Sequence, residues 1–201
     1  IPATEIGDIR RFEAAGYGFA EFQLFLSYRL KKRPDISAYP YRYEPVTDER
    51  HLEYASGLAA GIFTHDRYSN DPGFPPDLSG RRYQAYLGKS FVAPDERVYV
   101  MVNTDTGVPV SFATRLVVNE KKTRLLIGGV DERFKGTGLG VIHDLVGLAT
   151  YHDEGVRDIE TAVSGINYPI MNLEISHLGF RVVEAKVVLR KMFSCASDRQ
   201  G

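Results

Sequence analysis

Apolar residues recur along this chain in two periods, and the changes from one period to the other divide it into strands and helices. Tyr41 to Val46 reads as a strand, and Thr47-Asp48-Glu49 supplies a helix start for the stripe Leu52, Ala55, Leu58, Ala59 and Ile62. Past a proline-rich loop, a second helix carries Tyr83, Tyr86, Leu87 and Phe91. Arg97 to Asn103 and Val108 to Val118 read as strands joined by the turn Asp105-Thr106-Gly107, and Asn119 to Lys122 turns into a further strand, Thr123 to Val130. The remainder predicts a helix over 139–154, a strand over 158–163, a helix over 169–178 and a strand over 180–190. These elements make a mixed α/β (α+β) domain.

Ahead of them, Ile9, Phe12 and Ala15 read as the end of a helix, and the aromatic-rich stretch from Gly18-Phe19 through Leu30 as a long strand. The order helix, Gly-Phe, strand recurs where Ile175 to Leu178 leads through Gly179-Phe180 into the last strand, a faint internal echo; an ordinary helix-to-strand turn is the plainer account. Lys31-Lys32-Arg33-Pro34-Asp35 through Pro40 forms a polar, proline-bounded linker with a solvated charge run. The chain begins at Ile1 without a methionine, which reads as a fragment or a processed chain.

The segment Gly129-Val130-Asp131-Glu132-Arg133-Phe134-Lys135-Gly136-Thr137-Gly138-Leu139-Gly140 joins an apolar strand to an apolar-striped helix through spaced glycines. Glycine admits positive φ and close approach of an anion, and the first N–H groups of a helix lack internal partners, so such a corner suits a diphosphate. It is not a Walker A loop, which ends Gly-Lys-Ser/Thr, nor does it stand where a dinucleotide fingerprint does, after the first strand of a parallel sheet. The pattern is a basic residue, two positions, glycine, one position, glycine: Lys135, Gly138, Gly140.

Composition limits the partners. A hydrophobic share of 43% in 201 residues suffices for a sizeable core, and a formal charge of −1 gives no broad basic field for nucleic acid or an anionic membrane. Cys195 is alone, so no intrachain disulfide exists, and a cytoplasmic location is the natural reading; Cys195 itself reads as a tail thiol. No apolar run approaches the roughly 20 residues of a membrane span, and no signal peptide is visible. His143, His152, Asp153 and Glu154 lack metal-ligand spacing, so no metal is expected.

Val130-Asp131, the Lys135 to Gly140 loop, Asn167 and Leu178-Gly179-Phe180 together resemble the acyl-coenzyme-A-binding core of the GNAT N-acetyltransferase superfamily. The resemblance covers roughly residues 39–191. Thr64-His65-Asp66-Arg67-Tyr68-Ser69-Asn70-Asp71-Pro72-Gly73-Phe74-Pro75, with Tyr83 and Tyr86 beyond it, is similar to a segment of the bacterial fucosamine N-acetyltransferases, which acetylate the amine of a dTDP-4-amino-dideoxyhexose. The resemblance implies a GNAT fold, a mixed central sheet flanked by helices, with residues 39–193 as the acetyltransferase domain. Residues 1–38 would then be the C-terminal part of a truncated, GNAT-like N-terminal subdomain plus the linker, and 194–201 a tail. It also implies acetyl-CoA as co-substrate, an amino-sugar nucleotide as acceptor, and room for a homodimer.

Site roles follow from the same resemblance. Val130, Lys135, Gly136, Thr137, Gly138, Leu139, Gly140 and Asn167 would bind the cofactor; Lys135 could instead be a surface lysine, and Asn167 a helix cap. Gly128-Gly129 would form a bulge that turns a backbone N–H toward the thioester carbonyl, or would serve close strand packing. His65, Asp66, Arg67, Tyr68 and Asp71 would contact the acceptor, Arg67 as a phosphate clamp and Tyr68 by stacking, or form a turn-rich structural loop. A water chain ending on Asp66, Asp71 or Glu120 would take the amine's proton.

The chain departs from the family at the residue that protonates the leaving thiolate, usually a tyrosine four residues ahead of the Leu-Gly-Phe glycine. Counting back from Gly179 reaches Ile175. Tyr168, Ser176 and His177 are the nearby candidates, with Tyr168 at the helix entrance preferred and His177 turned about 200° from Ile175 in an α-helix. Two other readings stay open: a GNAT enzyme for another small amine or a protein N-terminus, and a non-catalytic acyl-CoA-binding module.

Overall fold

A computed structural model describes residues 1–193; the expected tail at 194–201, with Cys195, lies outside the described residues. The chain runs α1 (Ile6–Ala14), β1 (Gly18–Arg29), β2 (Tyr41–Pro45), α2 (Glu49–Ala59), α3 (Arg67–Asn70), α4 (Leu78–Val92), β3 (Glu96–Asn103), β4 (Pro109–Asn119), β5 (Lys122–Val130), α5 (Leu139–Asp153), β6 (Asp158–Ser164), α6 (Tyr168–Met171) and β7 (Arg181–Arg190). Between α6 and β7 the chain forms a π-helix, Asn172–Leu178.

The strands form one seven-stranded sheet in the order β2-β3-β4-β5-β6-β1-β7. Neighbours are antiparallel except β5 and β6. Both faces of the centre are covered, which is why β3 reads as nearly continuous apolar sequence: its residues alternate between two cores. Val98, Val100 and Val102 join Phe112 and the α2 residues Ala55 and Ala59 on one side. Tyr99 and Met101 join Leu139, Val146, Leu148 and Tyr151 of α5 on the other, with Ile175, Leu178 and Phe180 at the same side's far end.

Local chemistry sets the element ends. Asp48 caps α2 by accepting from His51 N–H at 2.9 Å. The β3–β4 turn closes on Asn103, whose side-chain oxygen accepts from the Asp105 and Thr106 amides at 3.0 Å, and Gly107 takes the positive φ that the reversal needs (69°).

The long N-terminal strand is a full member of the sheet. β1 is hydrogen-bonded on both edges, pairing Gln23–Arg29 with Asp158–Ser164 and Gly18–Ser27 with Arg181–Arg190. The first residues continue the pattern at the outer edge, where the Ile1 ammonium donates to Val187 O at 3.0 Å. No helix among the described residues is long and apolar enough to cross a membrane.

Candidate acyl-coenzyme A site

β5 and β6 are paired only from Lys122–Arg124 to Asp158–Glu160 and then diverge, leaving Leu125–Val130 and Thr161–Ser164 unjoined across the sheet. A bulge accompanies the divergence. Ala113 pairs with Gly128 and Arg115 with Leu125, so Leu126 and Ile127 together oppose Thr114. The bulge therefore precedes the glycine pair at which it was expected. The glycines serve close packing there: a Cβ on Gly128 would lie 3.0 Å from Phe112 O, and one on Gly129 would collide with the Ile62 side chain.

The direction of the β5 amides follows from their partners. Ile127 N–H donates to Thr114 Oγ1 at 3.1 Å and Asp131 N–H to Val110 O at 3.0 Å, both toward β4. Because successive amides of a strand face opposite edges, Gly128 and Val130 turn theirs toward the gap between β5 and β6. Two donors of one orientation thus face an opening in the sheet.

Just beyond β5, the glycine loop delivers the chain to α5. Gly136 and Gly138 adopt φ of 78° and 82°, which a Cβ would oppose, and Gly138 is the N-cap of α5. The amides of Gly138, Leu139 and Gly140 precede the first i→i−4 bonds of this 15-residue helix; Leu139 N–H donates at 3.4 Å to Thr137 Oγ, and those of Gly138 and Gly140 form the donor pair at its positive end. Thr137 Oγ donates to Phe134 O at 2.7 Å and fixes the loop. Lys135 is exposed beside it, Leu139 is buried, and Val130 packs against the α5-side core.

A groove of about 320 Å³ runs along this loop, lined by Gly136, Gly138, Gly140 and Val141 on one wall and by Pro169, Asn172, Leu173 and His177 on the other. His177 thus lines the groove, while Ile175 packs into the core. Tyr168 is 61% exposed at the head of α6, and Asn167 caps that helix by accepting from Ile170 N–H at 3.4 Å.

The residues expected to contact an acceptor come together, but most are already engaged. Asp66 is buried, accepts from the Tyr68 and Ser69 amides at 2.7 and 2.9 Å, and takes the Tyr83 hydroxyl at 2.6 Å. Burial and that carboxylate hold the Tyr83 phenol well above its ordinary range. Arg67 donates from its guanidinium to Glu21 at 2.7 Å and from its backbone to the same carboxylate at 3.0 Å. Asp71 is paired with Arg190 of β7, whose guanidinium holds the carboxyl below its usual range. Tyr68 lies between two guanidiniums, Arg67 at 4.5 Å and Arg82 at 4.3 Å, and His65 is exposed next to Thr64.

Sequence reasoning missed Glu21, Arg82 and Arg190, which reach this loop from β1, α4 and β7. Glu21 carried one signal, a carboxylate at a position of β1 that is buried by its neighbours. Beside the same loop, a groove of about 410 Å³ is bordered by Phe63, Thr64, Ser69, Ser79, Arg81 and Gln84.

Within the α5-side core, Ser111 Oγ lies 2.8 Å from His143 Nδ1 and the Tyr43 hydroxyl 3.1 Å from the same atom. Burial lowers the His143 pKa to about 4 and keeps the ring neutral. His143 is therefore part of a structural network. Among the described residues, no group of three His, Cys, Asp or Glu side chains is arranged to hold a metal.

Neither protein-family models nor curated proteins match the chain. Solved structures do. A GCN5-related N-acetyltransferase from Sphaerobacter thermophilus aligns with 95% of this chain and 57% of its own, at 21% identity and a TM-score of 0.63. This chain has the GNAT fold. A tandem GNAT protein from the clavulanic acid biosynthesis pathway aligns over 94% of this chain and 59% of its own, at 19% identity and a TM-score of 0.61. A glucosamine N-acetyltransferase region of a fungal multi-domain GH3 β-N-acetylglucosaminidase aligns over 94% of this chain and 23% of its own, at 14% identity and a TM-score of 0.61. The chain thus spans a little under three fifths of the first two proteins' lengths.

Proposed function

We propose that the protein is an acetyl-CoA-dependent N-acetyltransferase acting by direct transfer to the amine of a nucleotide-linked deoxyamino sugar. The observation that carries the donor half is the gap between β5 and β6, with the amides of Gly128 and Val130 facing it and the glycine cradle at its mouth. An extended acyl-thioester can lie in such a gap as a strand-like insert. The residues of the loop fit the cofactor: an amide donor pair with positive-φ glycines suits a diphosphate, and Lys135 adds a cation.

In this reading the loop amides and Lys135 hold the diphosphate, and Asn167 borders the cofactor path while capping α6. The amide of Gly128 or Val130 donates to the thioester oxygen as negative charge develops there, a contribution of ~3 kcal/mol for an oriented donor. The acceptor's neutral nitrogen enters from the side of the His65–Asp71 loop. With Arg67 tied to Glu21, Arg82 is the cation better placed to meet a phosphate, next to Tyr68 as a ring-stacking surface.

The acceptor class rests on the similarity of Thr64–Pro75 to the fucosamine N-acetyltransferases, and on the glucosamine N-acetyltransferase region among proteins of like fold. Purified protein should acetylate dTDP-4-amino-4,6-dideoxygalactose with acetyl-CoA, read as product mass and free thiol. Thiol release with peptides or simple amines but not with the sugar nucleotide would refute the acceptor class while leaving the transfer chemistry intact.

A further inference from the structure

The helix before Gly179 ends in a way that changes which carbonyl closes it. In an α-helix closed by a left-handed glycine, the N–H following that glycine bonds to the carbonyl four residues before it. Gly179 is left-handed (φ 83°), so that carbonyl would belong to Ile175. Instead the segment is π-helical, and Phe180 N–H donates to Glu174 O at 2.9 Å. The wider turn makes the Glu174 carbonyl, in place of that of Ile175, the acceptor that closes the helix.

Glu174 is also the only buried residue of the π-helix, with 7% exposure. Its Oε2 has no hydrogen-bond partner among the described residues. It sits next to Leu173, which lines the cofactor groove, and faces α5, whose Asp144 is the charged group opposite it. A buried carboxyl with an unsatisfied oxygen is costly unless it serves a purpose. Single extra residues of the π type occur often at functional sites.

Resting on the acetyl-transfer reading above, we propose that Glu174 is the catalytic residue that gives its proton to the departing coenzyme A sulfur. The acceptor nitrogen bonds to the carbonyl carbon, and the carbon–sulfur bond then breaks with its electron pair left on sulfur. The Glu174 carboxyl transfers its proton to that sulfur and becomes a carboxylate. The ammonium loses its extra proton to water, and Glu174 regains one from solvent, so acetyl-CoA and amine yield amide and free thiol.

Burial, reinforced by the Asp144 carboxyl, raises the Glu174 pKa to about 8, so the proton to be donated is present at neutrality. That value lies close to the ordinary thiol near 8.5, which suits transfer between the two. Asp144 is itself raised to about 7 by burial, so the pair carries less than its full negative charge at pH 7.

The test titrates the thiol of bound coenzyme A by thiolate absorbance in wild type, Glu174→Gln and Glu174→Asp. A carboxylate beside the sulfur delays thiolate formation, so the wild-type thiol should titrate about one pH unit or more above that in Glu174→Gln. Glu174→Asp should restore part of the shift. Turnover with dTDP-4-amino-4,6-dideoxygalactose should fall ~100-fold in kcat in Glu174→Gln with KM for acetyl-CoA unchanged, as expected for loss of a general acid. Equal thiol titrations in the wild type and Glu174→Gln would overturn the proposal alone. Failure of the wild type to bind coenzyme A would overturn the acetyl-transfer reading and the proposal with it.

Discussion

Replacing Glu174 by glutamine keeps the shape of a buried side chain and removes its proton equilibrium. In the fold this carboxyl is raised from 4.5 to about 8, first by burial and then by Asp144. The folded state therefore holds the proton over a pH range in which the unfolded chain has released it. Stability from this group is present below the unfolded value, falls as pH rises, and is lost by the folded value. At about 1.4 kcal/mol per pH unit, the full window is worth at most ~5 kcal/mol. Against the ~5–15 kcal/mol of a typical domain this is large.

Urea unfolding followed by far-UV circular dichroism, at whole pH steps from 5 to 9, measures it. Wild type and Glu174→Gln should be nearly equal at pH 5, and the variant should gain steadily, becoming several kcal/mol the more stable by pH 9 with an unchanged m-value. Asp144 gives both proteins a slope of the same sign, so the difference between them reports Glu174 together with its coupling to Asp144. A difference independent of pH would refute the buried, protonated carboxyl.

Three further perturbations probe other parts of the molecule. Gly138→Ala places a Cβ at φ 82° where no neighbour obstructs it, so backbone strain alone should cost ~1–2 kcal/mol by urea unfolding. Arg67→Ala leaves Glu21, itself 4% exposed, without its cation and should cost ~3 kcal/mol; adding Glu21→Ala should recover much of that in a double-mutant cycle. His143 has a folded pKa near 4 against 6.5 unfolded, so its contribution is present above 6.5 and lost as pH falls toward 4. Thermal melts at pH 4.5 and 7.5 should accordingly show a smaller acid sensitivity in His143→Gln than in wild type.

What the sequence made legible was local. Apolar and aromatic runs located every strand of the sheet, Asp105-Thr106-Gly107 and its glycine marked the hairpin, and the positive φ values at Gly136 and Gly138 are those that the glycine spacing requires. Features set by distant contacts were not legible. The burial of Asp66, Arg67 and Asp71 depends on Tyr83, Glu21 and Arg190, none of them near in sequence. Nor does any local pattern announce that β1 lies between β6 and β7.

The helix expected over 169–178 shows the limit most clearly. Its apolar positions suit an α-helix, and only the tertiary arrangement reveals one α turn followed by a π-helix. A count of residues back from Gly179 then names Ile175, whereas the hydrogen bond names Glu174. A lone glutamate set among Met171, Leu173, Ile175 and Leu178 was the available hint.

Calorimetric titration of the purified chain with acetyl-CoA tests the glycine cradle most directly. Saturable binding at one site is expected, with an affinity in the micromolar to millimolar range usual for enzyme substrates and weakened roughly tenfold in Lys135→Ala. Absence of binding by a folded protein, or binding indifferent both to Lys135→Ala and to Gly138→Ala, would contradict the assignment of that loop to coenzyme A.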